Sequence, residues 1–217
     1  MVMHMKKIFA LCFAVLLAGT SPGTWAEVLQ PDALIRNTVQ EVLAIVKQDK
    51  DIQSGNQQKI LELVEAKVVP HFNFTRMTRL AVGKSWRTAT SAQKQALEAE
   101  FRNLLVRTYT KAFTVYRDQN VEVKPFKMAD SATEVTVKTV IMQPGGLPPT
   151  PVNYDMEKTA DGWKVYDLTI EGVSLVTSYR GTFADQIQQV GIDGLIKTLL
   201  EKNQAAADTP LKKAESK

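Results

Sequence analysis

The spacing of apolar and polar residues changes near the middle of the chain. In the first half, apolar residues recur at steps of three and four, which predicts amphipathic helices. Thr90 and Gln93 are spaced as a capping box at the start of the longest one. The predicted helices cover residues 34–46, 60–68, 74–81 and 90–116. The polar segment 47–56 between the first two is predicted to be a connection.

In the second half, apolar and polar residues alternate, which predicts short strands. Asp161 and Gly162 are typical of a hairpin turn. About four strands joined by turns predict a curved antiparallel sheet. Beyond Gly172 the pattern is helical again, with a break at Gly191 and a final amphipathic helix. Helices followed by strands predict an α+β fold in which several helices pack on one face of the sheet.

The first 26 residues have the features of a cleavable signal peptide. Lys6 and Lys7 precede an apolar run over residues 8–18, which is too short to span a bilayer, and small residues flank Trp25 at a cleavage position. Residues 27–202 are then expected to form one domain, with a helical part over about 30–118 and the sheet with the C-terminal helices over about 119–202. Residues 203–217 are expected to be a flexible tail.

Composition excludes several classes of function. The one cysteine, Cys12, lies in the predicted signal peptide, so no disulfide is expected in the exported chain. The chain has 27 basic and 23 acidic residues, and this near balance does not favour nucleic acid as a partner. After cleavage His71 is the remaining histidine, so no metal site is predicted, and no cofactor-binding motif is present.

Asp167 and Glu171 are the one acidic pair considered for catalysis. They follow an apolar stretch, so a small hydrolase or isomerase could use them as acid and base. The structural alternative is that they accept hydrogen bonds from backbone N–H groups at the break between strand and helix. No nucleophile elbow or phosphate-binding loop accompanies them.

The segment 163–183 carries more apolar residues than a short surface helix needs. Packed densely, these residues form a core, and packed around a gap, they line an apolar cavity. Three interpretations follow: a carrier of an apolar ligand, an enzyme with a polar group inside the cavity, or an adaptor whose interior is filled by side chains.

Several segments resemble one known family. They are AVGKSWR at residues 81–87, the proline-rich turn at 144–149, IEGVSLV at 170–176 and GIDGL at 191–195. In order and spacing they are similar to the MlaC-type periplasmic phospholipid carriers, also called the toluene-tolerance family. The similarity covers roughly residues 30–202.

The resemblance implies an NTF2-like roll with added N-terminal helices and a function without catalysis. It implies a periplasmic carrier that holds the acyl chains of a diacyl phospholipid in an apolar cavity. The carrier would shuttle lipid between an outer-membrane lipoprotein–porin complex and an inner-membrane ABC transporter complex with its substrate-binding ring, and so maintain the lipid asymmetry of the outer membrane. The alternative remains a small NTF2-like periplasmic hydrolase or isomerase that uses Asp167 and Glu171.

Periodicity and the general geometry of the family together give candidate site residues. The candidates for acyl-chain contact are Phe74, Met77, Leu104, Tyr109, Phe113, Val137, Tyr154, Val173, Leu175, Val176 and Tyr179. The candidates for contact with a headgroup or a partner protein are Lys84, Arg87 and Arg180.

Overall fold

Helices form the N-terminal half and the C-terminal end of the described chain. The computed structural model describes residues 29–110 and 120–208, so the predicted signal peptide lies outside it. The α-helices are α1 (Pro31–Gln48), α2 (Lys50–Gln53), α3 (Gln57–Lys67), α4 (Phe74–Val82), α5 (Ser91–Thr110) and α6 (Leu175–Asp208). Short 3-10 segments cover Val69–His71, Gly83–Arg87 and Pro144–Gly146.

The strands between α5 and α6 form an antiparallel sheet. They are β1 (Asn120–Val123), β2 (Glu134–Met142), β3 (Thr150–Thr159), β4 (Gly162–Ile170) and β5 (Val173–Ser174), paired in chain order. This confirms the α+β class, although the sheet has five strands where about four were expected. The additional strand, β5, pairs only with Thr169 and Ile170.

The alternation of the strands directs one face of the sheet towards the helices. Val137 on β2 pairs with Tyr154 on β3, and Val137 is fully buried while its neighbour Lys138 is exposed. The register between β3 and β4 shifts at Asp155 and Met156. Such a bulge bends the strand and increases its twist, so the sheet wraps around the apolar side chains on its inner face.

Capping residues fix several helix starts where the sequence places them. At the start of α5, the backbone N–H of Thr90 donates to Gln93 Oε1 at 3.0 Å, and that of Gln93 donates to Thr90 Oγ1 at 3.2 Å. The predicted capping box is therefore confirmed. Asn73 Oδ1 accepts from Arg76 N at 2.9 Å at the start of α4.

The predicted connection at 47–56 contains the short helix α2. Asp49 caps it by accepting hydrogen bonds from the N–H groups of Asp51 and Ile52. Ile52 is only 3% exposed. One apolar residue in a polar segment is too few to show a helical spacing. The pattern of apolar residues therefore could not predict this turn of helix.

The C-terminal helix extends further than expected. Gly191, with φ 75° and ψ 179°, interrupts α6 as predicted, but the helix then continues to Asp208. Asn203 is buried, and its Nδ2 donates to the backbone oxygen of Glu100 at 2.9 Å and to Glu100 Oε2 at 2.7 Å. A flexible tail from residue 203 was therefore wrong for residues 203–208, because this contact holds the helix against α5. Residues 209–217 lie outside the described part.

The buried apolar side chains form three clusters. The helical cluster joins α4, α5 and α6, the sheet cluster joins α1 to the sheet, and the N-terminal cluster joins α1, α2 and α3. Phe101 is fully buried at the centre of the helical cluster, where Tyr179 and Phe183 pack edge-on against its ring at 5.0 Å and 5.1 Å. Helices α4, α5 and α6 therefore share one of the three clusters, from which α1, α2 and α3 are separate.

Candidate ligand cavity

The three clusters leave an apolar cavity where they meet. It has a volume of about 310 Å³ and is partly open to solvent. Each cluster contributes to its wall: Ile35 and Val165 come from the sheet cluster, Val42 from the N-terminal cluster, and Met77 and Leu175 from the helical cluster. The surplus of apolar residues therefore surrounds a space and does not fill one continuous core.

The inner face of the sheet and the apolar faces of α1, α4 and α5 supply most of the wall. The lining residues are Ile35, Thr38, Val39, Val42, Leu43, Val46, Val64, Val68, Val69, His71, Phe72, Phe74, Met77, Leu105, Val106, Tyr109, Thr110, Val121, Ile141, Thr150, Val152, Tyr154, Val165, Leu168, Ile170 and Leu175.

The segment before α4 is attached directly to the sheet. Phe72 forms a parallel bridge with Val165, and the N–H of Asn73 donates to the oxygen of Val165 at 2.8 Å. Phe74 follows, stacked on Phe72 with the ring centroids 5.9 Å apart. The guanidinium of Arg102 lies 5.6 Å from the centre of the Phe74 ring. These contacts fix the ring of Phe74 in the cavity wall.

A few polar side chains reach the cavity, and burial changes their ionisation. Burial raises the pKa of Tyr154, and a hydrogen bond with Thr139 partly offsets the rise. Burial also raises the pKa of Tyr109. The pKa of His71 is lowered, first by burial and then by the charge of Lys164, and Glu41 opposes this. The neutral forms of all three groups are therefore favoured, which is compatible with an uncharged ligand in the cavity.

The structure brings five of the predicted acyl-chain residues to the cavity. Phe74, Met77, Tyr109, Tyr154 and Leu175 line it. Phe113 lies outside the described residues. These five residues come from α4, the end of α5, β3 and the first residue of α6, and their contact with an acyl chain stays a prediction.

Five other predicted residues do not line this cavity. Val137 is fully buried in the sheet cluster, and Val176 is buried in the helical cluster. Leu104 and Tyr179 pack against the helical cluster. Val173 is 62% exposed on β5.

The turn before β5 explains why Val173, Val176 and Tyr179 do not line the cavity. Glu171 and Gly172 have positive φ values of 50° and 85°, which reverse the chain and create the β4–β5 hairpin. The helix therefore begins only at Leu175, and residues 173–179 face other directions than a helix from Gly172 would give them.

The two candidate acids lie outside the cavity wall. Asp167 is 9% exposed, and its oxygens accept hydrogen bonds from Leu168 N at 2.8 Å, Val176 N at 3.0 Å and Ser174 Oγ at 2.5 Å. Glu171 is exposed at the turn. Asp167 therefore accepts hydrogen bonds from backbone N–H groups at the break between strand and helix. The two acids do not supply an acid and a base inside the cavity.

The three candidate cations lie on the surface away from the cavity wall. Lys84 and Arg87 are exposed in the 3-10 segment that follows α4, and Arg180 is exposed on α6. The side chain of Arg180 lies against Gly83, where an added Cβ would be 3.5 Å from Arg180 Nε. Their role in binding a headgroup or a partner stays a prediction.

Sequence reasoning missed the contribution of α1 and of the neighbouring strands. Val39, Val42 and Val46 line the cavity from the helix predicted over residues 34–46, but they are not among the candidate site residues. Their spacing predicts an apolar helical face. It does not predict whether that face packs against other side chains or borders a cavity. Ile141 near the end of β2 and Ile170 at the end of β4 were missed for the same reason.

Among residues 29–110 and 120–208, no three histidine, cysteine, aspartate or glutamate side chains lie close enough to hold a metal ion. Within the same two ranges, no helix has the length and hydropathy that crossing a membrane requires.

The fold and the cavity define an α+β protein that can enclose an apolar ligand between helices and an open sheet. Comparison with known proteins places it more narrowly. The family model described as "MlaC protein" matches residues 36–201. The chain therefore belongs to the MlaC family, as the resemblance indicated.

Individual relatives agree with this placement. The chain is 26% identical to the toluene tolerance protein ttg2D of Pseudomonas putida, over 84% of this chain and 87% of that protein. It is 21% identical to the intermembrane phospholipid transport system binding protein MlaC of Haemophilus influenzae, over 96% of each chain. A phospholipid-binding protein from Ralstonia solanacearum, solved in complex with a phospholipid, has a TM-score of 0.76 and 39% identity, over 83% of this chain and 100% of that one.

Proposed function

We propose that this protein is a periplasmic phospholipid carrier that binds acyl chains in the cavity between α1, α4, α5 and the sheet. It exchanges lipid with membrane complexes and catalyses no reaction. The observation that carries the proposal is the cavity itself, whose wall is built from aliphatic and aromatic side chains of three separate clusters. The phospholipid bound by the Ralstonia solanacearum relative supports the identity of the ligand.

The free energy of hydration explains why such a carrier is needed. Each acyl CH₂ group exposed to water costs about 0.8 kcal/mol, so a free diacyl lipid crosses an aqueous compartment slowly. An apolar cavity replaces the hydrocarbon of the membrane with side chains of similar polarity. The free energies of the bound and the membrane states can then be close, and loading and unloading need little driving force from the carrier.

The volume of the cavity restricts how the ligand is accommodated. About 310 Å³ is near the lower end of the range for small-molecule sites. Two long acyl chains therefore require that the chains extend through the opening or that the walls move apart. The headgroup would remain near solvent, because the described residues of the cavity wall include no Lys, Arg, Asp or Glu side chain.

The relatives' names support a route for the lipid. One relative is called a binding protein of an intermembrane phospholipid transport system. We infer that the present chain exchanges lipid with an inner-membrane ABC transporter complex and an outer-membrane lipoprotein–porin complex, and that this exchange maintains the lipid asymmetry of the outer membrane. A signal peptide over residues 1–26 would direct the chain to the periplasm.

Mass spectrometry of an organic extract tests the proposal directly. The full chain is expressed in a Gram-negative host, purified from the periplasmic fraction without detergent, and extracted. We expect close to stoichiometric intact diacyl phospholipid. Purified protein that is folded but free of lipid, and that moves no labelled phospholipid between vesicles, would contradict it. Extraction of lysophospholipid together with free fatty acid would indicate a hydrolase instead.

A further inference from the structure

A cluster of charged residues joins the start of α4 to the outer part of the sheet. Glu134 on β2 and Glu157 on β3 are directly paired residues. Like charges in this arrangement destabilise a sheet. The guanidinium of Arg76 bridges them, with Nη2 at 2.8 Å from Glu134 Oε1 and Nη1 at 2.6 Å from Glu157 Oε2. One residue of α4 therefore compensates two negative charges on neighbouring strands.

Further contacts complete the cluster. The guanidinium of Arg76 lies 3.5 Å from the centre of the Tyr166 ring, and the Tyr166 hydroxyl donates to Glu134 Oε2 at 3.3 Å. Asn73 Nδ2 donates to Glu157 Oε1 at 2.8 Å. Each of the four carboxylate oxygens thus has a partner. Charge-assisted and cation–π contacts of this kind are stronger where water is partly excluded.

The cluster is sheltered on the side of Arg76 and Glu157. Their side chains are 15% and 19% exposed, whereas that of Glu134 is 54% exposed. Burial opposes the charged form of Arg76, but the hydrogen bonds that its guanidinium donates to Glu157 and Glu134 outweigh it and raise the pKa of Arg76. Removal of the cation would leave Glu157 in this partly buried site opposite a second carboxylate, which is costly.

The same short helix carries two residues of the cavity wall. Phe74 and Met77 line the cavity, and they lie two residues before Arg76 and one residue after it. Asn73, which caps α4, also binds Glu157. The position of this wall relative to the sheet therefore depends on the contacts that Arg76 and Asn73 make with β2 and β3.

We infer that Arg76 is a positioning residue for lipid exchange: by bridging Glu134 and Glu157 it holds α4 on the sheet and keeps Phe74 and Met77 closed over the cavity. The inference rests on the proposed carrier function. Loss of the bridge lets α4 move away from the sheet more often. A bound acyl chain then leaves more often, although Arg76 itself does not contact it.

The test compares Arg76→Gln with Arg79→Gln, which removes an exposed arginine from the same helix. Wild type and variants are loaded with fluorescently labelled phosphatidylglycerol, and its transfer to unlabelled acceptor vesicles is timed. We expect Arg76→Gln to release the probe on the order of threefold to tenfold faster. Arg79→Gln should release it at the wild-type rate. The release rate of Arg76→Lys should lie between those of wild type and Arg76→Gln, because lysine keeps the charge but cannot bind both carboxylates with a planar fork.

If Arg76→Gln fails to fold, a triple variant replaces it in the test. This variant combines Arg76→Gln, Glu134→Gln and Glu157→Gln. It removes the repulsion together with the bridge, so it should fold and still release the probe faster than wild type. Folded Arg76→Gln or a folded triple variant with the wild-type release rate would overturn the role of Arg76. Wild type that never takes up the probe would instead contradict the carrier function, so the two failures are distinguishable.

Discussion

The carboxylate of Asp167 accepts a hydrogen bond from the backbone N–H of Val176, with 3.0 Å between Oδ1 and N. The bond joins the end of β4 to the first turn of α6. Ser174 Oγ, which accepts from Thr177 N at 3.0 Å, caps the same helix and contacts the other oxygen of Asp167. A carboxylate at a helix N-terminus also interacts favourably with the helix dipole.

We therefore predict that Asp167 contributes to stability and not to chemistry. Asp167→Ala should lower the free energy of unfolding by about 1–3 kcal/mol, because buried N–H and O–H donors lose their acceptor. Urea unfolding followed by circular dichroism measures the change. Glu171→Gln, at the exposed turn, is the control and should stay within about 0.5 kcal/mol of wild type. Equal effects of the two substitutions would contradict the capping role.

The break in α6 gives a second prediction. Gly191 adopts φ 75° and ψ 179°, a conformation open almost only to glycine. Gly191→Ala should destabilise the protein by about 1–3 kcal/mol. Gly181 lies in the same helix without a positive φ, and its Cβ would meet nothing within 4 Å. Gly181→Ala should be neutral or stabilising by up to about 1 kcal/mol. Thermal unfolding of both variants decides whether the break is an obligatory feature.

Filling the cavity should reduce lipid binding. Val39 lines the cavity from α1, so Val39→Trp places a large ring in the space that the acyl chains would occupy. We expect less co-purified phospholipid per folded protein. Overpacking should lower the free energy of unfolding by no more than about 1–3 kcal/mol. Val173→Trp is the matched control, because Val173 is 62% exposed on β5 and outside the wall. Mass spectrometry of extracts from both variants measures the ratio. A normal lipid content in folded Val39→Trp would contradict the assignment of the site.

Stability should depend on pH through His71. Burial, reinforced by Lys164, lowers the pKa of His71 in the folded state. The unfolded chain then binds a proton at a higher pH, near the ordinary histidine pKa of about 6.5. Folding stability is unaffected above that pH and decreases as the pH falls from there through the folded-state pKa.

The check is to compare wild type with His71→Asn. Unfolding free energies are measured at about pH 7.5 and about pH 5, on either side of the ordinary histidine pKa. The wild type should lose more stability than the variant between the two conditions. An identical loss in both would show that other groups cause the pH dependence.

The fold class and most element positions could be predicted from the sequence because their causes are local. The capping box at Thr90 and Gln93, the cap at Asn73 and the break at Gly191 each depend on a few neighbouring residues. The change of period from helical to alternating gave the order of helices and strands. The positive-φ turn at Glu171 was less visible, since a glutamate rarely adopts it.

The tertiary structure decides which apolar residues form the cavity wall. Val137 and Tyr154 are paired neighbours on one face of the sheet, yet Val137 is buried in the sheet cluster and Tyr154 lines the cavity. Their patterns in the sequence are alike. Whether an apolar side chain meets another side chain or a gap depends on volumes contributed by elements far apart in the chain. Periodicity identifies the apolar faces, and only their packing together decides where space remains.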